Sequence, residues 1–123
     1  MFETCPCGSG RGYLACCGRL HGGAPADSAE TLMRARYTAF ARGNVAFLLA
    51  SWAPETRPPG LSIDPRQAWI GLKVEAHERT GPDTATVRFT ARCRIASRTT
   101  RLRETSRFRH DGRSWLYVDG DTT

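Results

Sequence analysis

Four of the five cysteines crowd into the first seventeen residues: Cys5 and Cys7 stand one residue apart, and Cys16 and Cys17 are adjacent. The chemistry such a set can do is metal ligation. Zn²⁺ takes four ligands in a tetrahedron with thiolates at about 2.3 Å, and two cysteine pairs on two short turns supply four. Gly8-Ser9-Gly10 between the pairs suits a tight knuckle, since glycine reaches the positive φ needed when backbone amides turn toward sulfur. Four thiolates on one Zn²⁺ leave a charge of about −2, and Arg11 and Arg19 are close enough in sequence to offset part of it. Two other readings stand beside this one. A disulfide or redox pair is the first, although there is no Cys-x-x-Cys and a bond between adjacent Cys16 and Cys17 would strain the backbone. The second uses His21 as a ligand in place of one cysteine; next to Gly22-Gly23 it reads better as a solvated loop histidine.

The rest of the chain must position this head. At 123 residues it can bury a core as one domain plus a small appendage, without help from disulfides. Met1-Phe2-Glu3-Thr4 carries neither a basic nor an apolar leader segment, and the longest apolar run, Val45 to Ala50, falls far short of a membrane span. A cytoplasmic, reducing setting is expected, where clustered cysteines serve as metal ligands. The formal charge is +6, and Lys73 is the one lysine among 18 basic residues. Between Arg79 and Arg113 ten arginines face three acids.

After the head, His21 to Ala26 reads as a flexible linker. Asp27 with Glu30 predicts a capping box, and Leu32, Met33, Arg36, Tyr37 and Phe40 recur at helical spacing, so a helix is expected over 28–42 with Gly43 just past its end. Asn44 opens a shorter helix carrying Phe47, Leu48 and Trp52, closed by Pro54. A proline-rich loop comes next, over 54–66. The period then switches to two. Strands are expected over 69–78, 84–97, 101–110 and 114–118, with Asp111-Gly112 as a hairpin signal. Two helices followed by a four-strand meander give an α+β domain whose sheet has one face on the helices.

Two resemblances fit this order. Cys5-Pro6-Cys7-Gly8-Ser9-Gly10 with Cys16-Cys17 resembles the SEC-C motif, the zinc-binding module known from the tail of the translocation ATPase SecA. Cys17 stands where that tail has histidine. Leu32 to Phe40, Trp52, Trp69-Ile70-Gly71-Leu72, Glu104 to Phe108 and Trp115 to Gly120 resemble the YchJ-like family of bacterial proteins. That resemblance implies a small N-terminal zinc knuckle over 1–22 and a cone-shaped nuclear-transport-factor-2-like domain over 27–121, with helices packed on a curved, mainly antiparallel sheet. With the SEC-C resemblance it implies one structural Zn²⁺ held by Cys5, Cys7, Cys16 and Cys17; it does not imply an activity.

No complete catalytic motif accompanies the metal set. Glu104 shares a strand face with Leu102 and Phe108 and is expected to point into the cone, as a general acid or base or else in an ion pair with Arg34 or Arg36. Asp119 is expected to join it there beside Trp115 and Tyr117. His77 is expected on the face opposite Leu72, Val74 and Ala76, His110 in a turn, and Cys93 as an inert core residue. Arg88, Arg92, Arg94, Arg101, Arg103, Arg107 and Arg109 should share the outer face of the sheet. Neighbouring like charges repel, so this face needs acids or an anionic partner. It carries no aromatic side chains for stacking on bases, so it reads as a phosphate-contacting patch or as a solvated face. Seven like charges argue against two copies pairing sheet to sheet, and a monomer is expected. The function expected is that of a zinc-binding, non-enzymatic adaptor contacting the ribosome, RNA or the protein-export machinery. The alternative is a small-molecule-binding or enzymatic cone with its pocket near Glu104 and Asp119.

Overall fold

The cysteine-bearing head and the sheet meet on the two sides of one helix. The structure, a computed structural model, describes residues 3–123; the expectation about a leader rests in part on Met1 and Phe2, which lie outside them. A 3₁₀ turn (Tyr13–Ala15) and helix α1 (Cys17–His21) close the head, and α2 (Ala29–Arg42) and α3 (Val45–Ala50) come after it. Four strands complete the chain: β1 (Ala68–Gly81), β2 (Thr84–Ile95), β3 (Arg98–His110) and β4 (Trp115–Thr122). They form one antiparallel sheet in the order β1-β2-β3-β4. The α+β class and the open sheet against helices are those the sequence implies.

Helix α2 starts one residue later than expected. Ser28, not Asp27, is the cap, and its Oγ accepts from the Thr31 amide at 3.1 Å. Serine and aspartate cap about equally well, so burial decides: Ala29, fully buried, becomes the first helical residue. Glu30 then pairs with Arg34 one turn on, at 3.0 Å. Gly43 ends the helix in the left-handed region (φ 72). Asn44 caps α3 through the Phe47 amide. Helix α3 stops before Trp52, because the backbone of 51–53 pairs with β4 instead: Tyr117 N donates to Ser51 O and Ala53 N to Tyr117 O.

The segment His21–Ala26 is no flexible linker. Ala26 is buried; its amide donates to Ser114 Oγ at 2.8 Å and its carbonyl accepts from the Trp115 amide. Gly23 (φ 112) turns the chain back after α1 rather than loosening it. Leu20 of α1 and the four cysteines join Leu32, Met33, Ala35 and Tyr37 of α2 and Val87, Phe108 and Trp115 of the sheet in one continuous core.

Two of the four register irregularities in the sheet move residues singled out in the sequence. The β1–β2 register shifts between Val74 and Ala76. His77 therefore falls opposite Val87 on the helix side, 3.9 Å from Glu30, not on the outer face. In the β3–β4 pair the register shifts between Arg107 and Phe108, leaving Val118 as an extra residue. A one-residue shift reverses the face of every later side chain in the strand. Asp119 accordingly leaves the inner face and pairs with Arg107 outside.

Candidate functional site

The ligating atoms of Cys5, Cys7, Cys16 and Cys17 all lie within 4.8 Å of one another, and all four residues are buried. Every cysteine is a free thiol. A regular tetrahedron with bonds of about 2.3 Å has sulfur–sulfur edges of about 3.8 Å; the Cys7–Cys16 edge is 3.7 Å. The set therefore has the size that one tetrahedral ion needs. Locally the sequence builds it as a knuckle. Cys5 N donates to Arg11 O, Gly8 N to Cys5 O, and Gly8 and Gly10 take positive φ (83 and 84). Ser9 Oγ lies 3.1 Å from Cys16 Sγ, and Arg11 reaches the same sulfur at 3.9 Å. The hydrogen bond from Cys17 pulls the Cys7 thiol well down, and that same bond, with burial, pushes Cys17 up. Burial also raises Cys5, against backbone hydrogen bonds from Cys7 and Cys17.

Helix α2 completes the site from below. Arg34, Thr38 and Arg42, four residues apart, form one stripe facing the head. Thr38, fully buried, donates from Oγ1 to Cys17 Sγ at 3.3 Å and lies 3.7 Å from Cys5 Sγ. Arg34 Nη1 donates to Cys7 O at 2.9 Å. Arg42 pairs with Glu3 at 2.7 Å and lies over the Tyr13 ring at 3.9 Å. His21 is neither a ligand nor a solvated loop residue. Its Nδ1 is 2.6 Å from Tyr13 Oη and its Nε2 is 2.9 Å from Ala35 O, and desolvation lowers its pKa. It fastens the head to α2.

The opposite face of α2 lines a cavity of about 210 Å³ between helix and sheet. Glu104 is in its wall as expected, but in no ion pair with Arg34 or Arg36. Its Oε2 accepts from Ser106 Oγ at 2.6 Å and from Tyr117 Oη at 3.4 Å. Arg36 also lines the cavity, donating from Nη1 to Leu48 O and Ser51 Oγ at 2.8 and 2.7 Å. Asp119 is not in this pocket, because the extra residue at Val118 turns it outward.

Comparison with known proteins agrees with this arrangement. Residues 28–120 match the model of the YchJ middle domain, nuclear-transport-factor-2-like, and residues 3–19 match that of the SEC-C motif. The chain belongs to the YchJ-like family. Among its relatives, a UPF0225 protein of Xanthomonas campestris pv. campestris is 51% identical over 120 residues, covering 95% of this chain and 93% of its own. One from Bordetella parapertussis is 48% identical over 124 residues, covering 96% and 92%. A SEC-C motif-containing protein from Rhodopseudomonas palustris, solved in solution, has a TM-score of 0.86 at 29% identity, over 98% of this chain and 99% of that one. A SEC-C motif-containing protein crystallised from Psychrobacter arcticus has a TM-score of 0.80 at 26% identity, over 98% and 83%.

In this YchJ-like chain the arginine face is partly neutralised from within. Glu75 lies 3.8 Å from Arg88 and 3.0 Å from Arg103. Arg107 is held by Asp119 and Asp121, and Arg109 by both oxygens of Glu55. Arg92, Arg94 and Arg101 make no ion pair among the described residues, and Arg92 sits directly opposite Arg101. Cys93 is buried between Gln67 Nε2 (3.1 Å) and Thr100 Oγ1 (3.2 Å), away from the other four. Thr38 and Arg42 carry no expectation from the sequence, and Arg34, expected as a candidate partner of Glu104, instead braces the head at Cys7 O. Their signal was a polar stripe at a spacing of four on a helix already apolar on its other side. No helix of the described residues is long and apolar enough to cross a membrane.

Proposed function

We propose that the chain is a zinc-stapled interaction protein. Cys5, Cys7, Cys16 and Cys17 bind one structural Zn²⁺, and the knuckle they hold docks onto a partner in the cytoplasm. The observation that carries this reading is the closure of the cysteine set. Four buried sulfurs within 4.8 Å of one another fill all four positions of one tetrahedral ion and leave none for water or substrate, the mark of a structural rather than a catalytic zinc site. When bound, the ion supplies cross-linking of residues otherwise tied by few local hydrogen bonds. Arg11 and Arg34 moderate the charge, and Thr38 orients Cys17. Outside the knuckle stands Leu14, 83% exposed, with Arg11 and Arg19 also on the surface. An apolar contact ringed by cations suits an acidic protein surface at the ribosome or the export machinery. The unpaired Arg92, Arg94 and Arg101 add a second contact, to RNA phosphates.

The test has two parts. Native mass spectrometry of protein purified without chelator is expected to give one zinc per chain, lost in Cys7→Ser. Affinity capture with the wild type, Cys16→Ser and Leu14→Asp, each with and without nuclease, is expected to enrich ribosomal or export components with the wild type alone. Protein free of zinc, or capture identical for all three chains, overturns the reading.

A further inference from the structure

The cavity under α2 holds two charges that do not meet. Arg36 is 6% exposed and makes no ion pair among the described residues. Its only hydrogen bonds to the described protein are from Nη1, and its guanidinium also stacks on two rings, 4.9 Å from the Trp52 centre and 4.3 Å from that of Tyr117. Burial draws this guanidinium down to about 10. Glu104 accepts two hydroxyls on Oε2, and its Oε1 has no protein donor among the described residues. The indole N–H groups of Trp52 and Trp69, whose rings line the same cavity, have no partner there either. The remaining wall is apolar and largely aromatic, with Phe40, Phe89 and Phe108 in it. A buried guanidinium and a half-buried carboxylate thus each keep hydrogen-bonding capacity toward the cavity that its hydrocarbon walls do not use.

We propose that this cavity binds a small, flat, uncharged aromatic molecule bearing an amide edge. The carbonyl of such an H–N–C=O edge accepts from Arg36, its N–H donates to Glu104, and the ring lies among the aromatic walls. An anion satisfies Arg36 but is repelled by Glu104. A cation does the reverse, and a hydrocarbon satisfies neither. The size agrees: a cavity of about 150 Å³ admits benzene, so 210 Å³ takes one ring with its substituent. This inference stands apart from the zinc-stapled reading, since it uses the other face of α2 and no cysteine.

Four probes share one ring and differ only at the edge: benzamide, benzoate, benzamidine and toluene. Each is titrated into the full-length, metal-loaded protein while the indole N–H signals of Trp52 and Trp69 are followed by ¹⁵N NMR. Saturable shifts with benzamide, at least tenfold tighter than with the other three, are the expected result. Glu104→Gln keeps the shape and removes the charge, so it should cut the benzamide-to-benzoate preference at least tenfold. Arg36→Met should abolish benzamide binding. No saturable shift with any probe overturns the proposal, as does benzoate or benzamidine binding as tightly as benzamide. A preference left unchanged by Glu104→Gln overturns it too, and that variant remains decisive if Arg36→Met fails to fold.

Discussion

Thr38→Val tests whether α2 is part of the metal centre or merely lies beneath it. The substitution keeps the branched shape and nearly the same helix propensity, and it removes one hydroxyl from a fully buried site. That hydroxyl has one proton. It goes to Cys17 Sγ at 3.3 Å, with Cys5 Sγ 3.7 Å away on the same oxygen. A hydrogen bond to a charged acceptor contributes about 1.5–3 kcal/mol, and valine leaves the buried thiolate without a substitute donor. At about 1.4 kcal/mol per decade, zinc affinity should fall about 10- to 100-fold, the range found when supporting partners of metal ligands are removed. The assay is competition for zinc against a chromophoric chelator of known affinity. The folded sheet, followed by near-ultraviolet circular dichroism, serves as control. A chelator midpoint within twofold of the wild type, with the fold intact, would refute the argument that the helix hydroxyl stabilises the sulfur set.

Chelating the metal should lower the melting midpoint of the whole chain, because the four cysteines belong to the same core as α2 and the sheet. A loss of about 3 kcal/mol corresponds to about 10 °C or more, and an unchanged midpoint in calorimetry would count against a shared core. Arg109 grips Glu55 and holds its carboxyl at about 2, below the ordinary 4.5. A depressed carboxylate stabilises above its unfolded value and loses that contribution as pH falls through the folded one, so the stability gap between wild type and Glu55→Gln should be present at pH 7 and should close between about pH 4.5 and 2. It is read from denaturation midpoints at each pH, and a gap that widens in acid reverses the sign. Replacing Arg92, Arg94 and Arg101 by alanine should weaken binding to single-stranded RNA and flatten the salt dependence, log K against log salt, by about 2. Fluorescence anisotropy across a salt series checks this, and an unchanged slope removes these residues from the contact.

The clustering of the four cysteines was legible because its signal is local: two pairs with glycines between them. The outward arginines and inward Val87, Phe89 and Ala91 were legible because strict alternation in β2 leaves one register that buries the apolar set. What failed to show was non-local. His77 and Asp119 change faces through register shifts that depend on the partner strand, and nothing in Val118 itself announces an extra residue. Gly22-Gly23 suggests looseness, whereas the residue that pins this segment, Trp115 against Ala26, lies 89 residues away in sequence. Ser28 and Asp27 are near equals as caps, and the choice fell to the burial of Ala29. The roles of Thr38 and His21 became visible only once the head was known to sit on α2.

Because the head closes over a dozen residues and its floor is the next helix, its assembly has an order in time. The ribbon from Cys5 to Cys17 leaves the ribosome before α2, and Ser114 and β4's Trp115, which close the joint at Ala26, leave after both. Short-range closure is fast and long-range strand pairing is slow. On the zinc-stapled reading the growing chain therefore acquires its ion while the sheet is still unmade, and the closed knuckle becomes the template on which the sheet is laid.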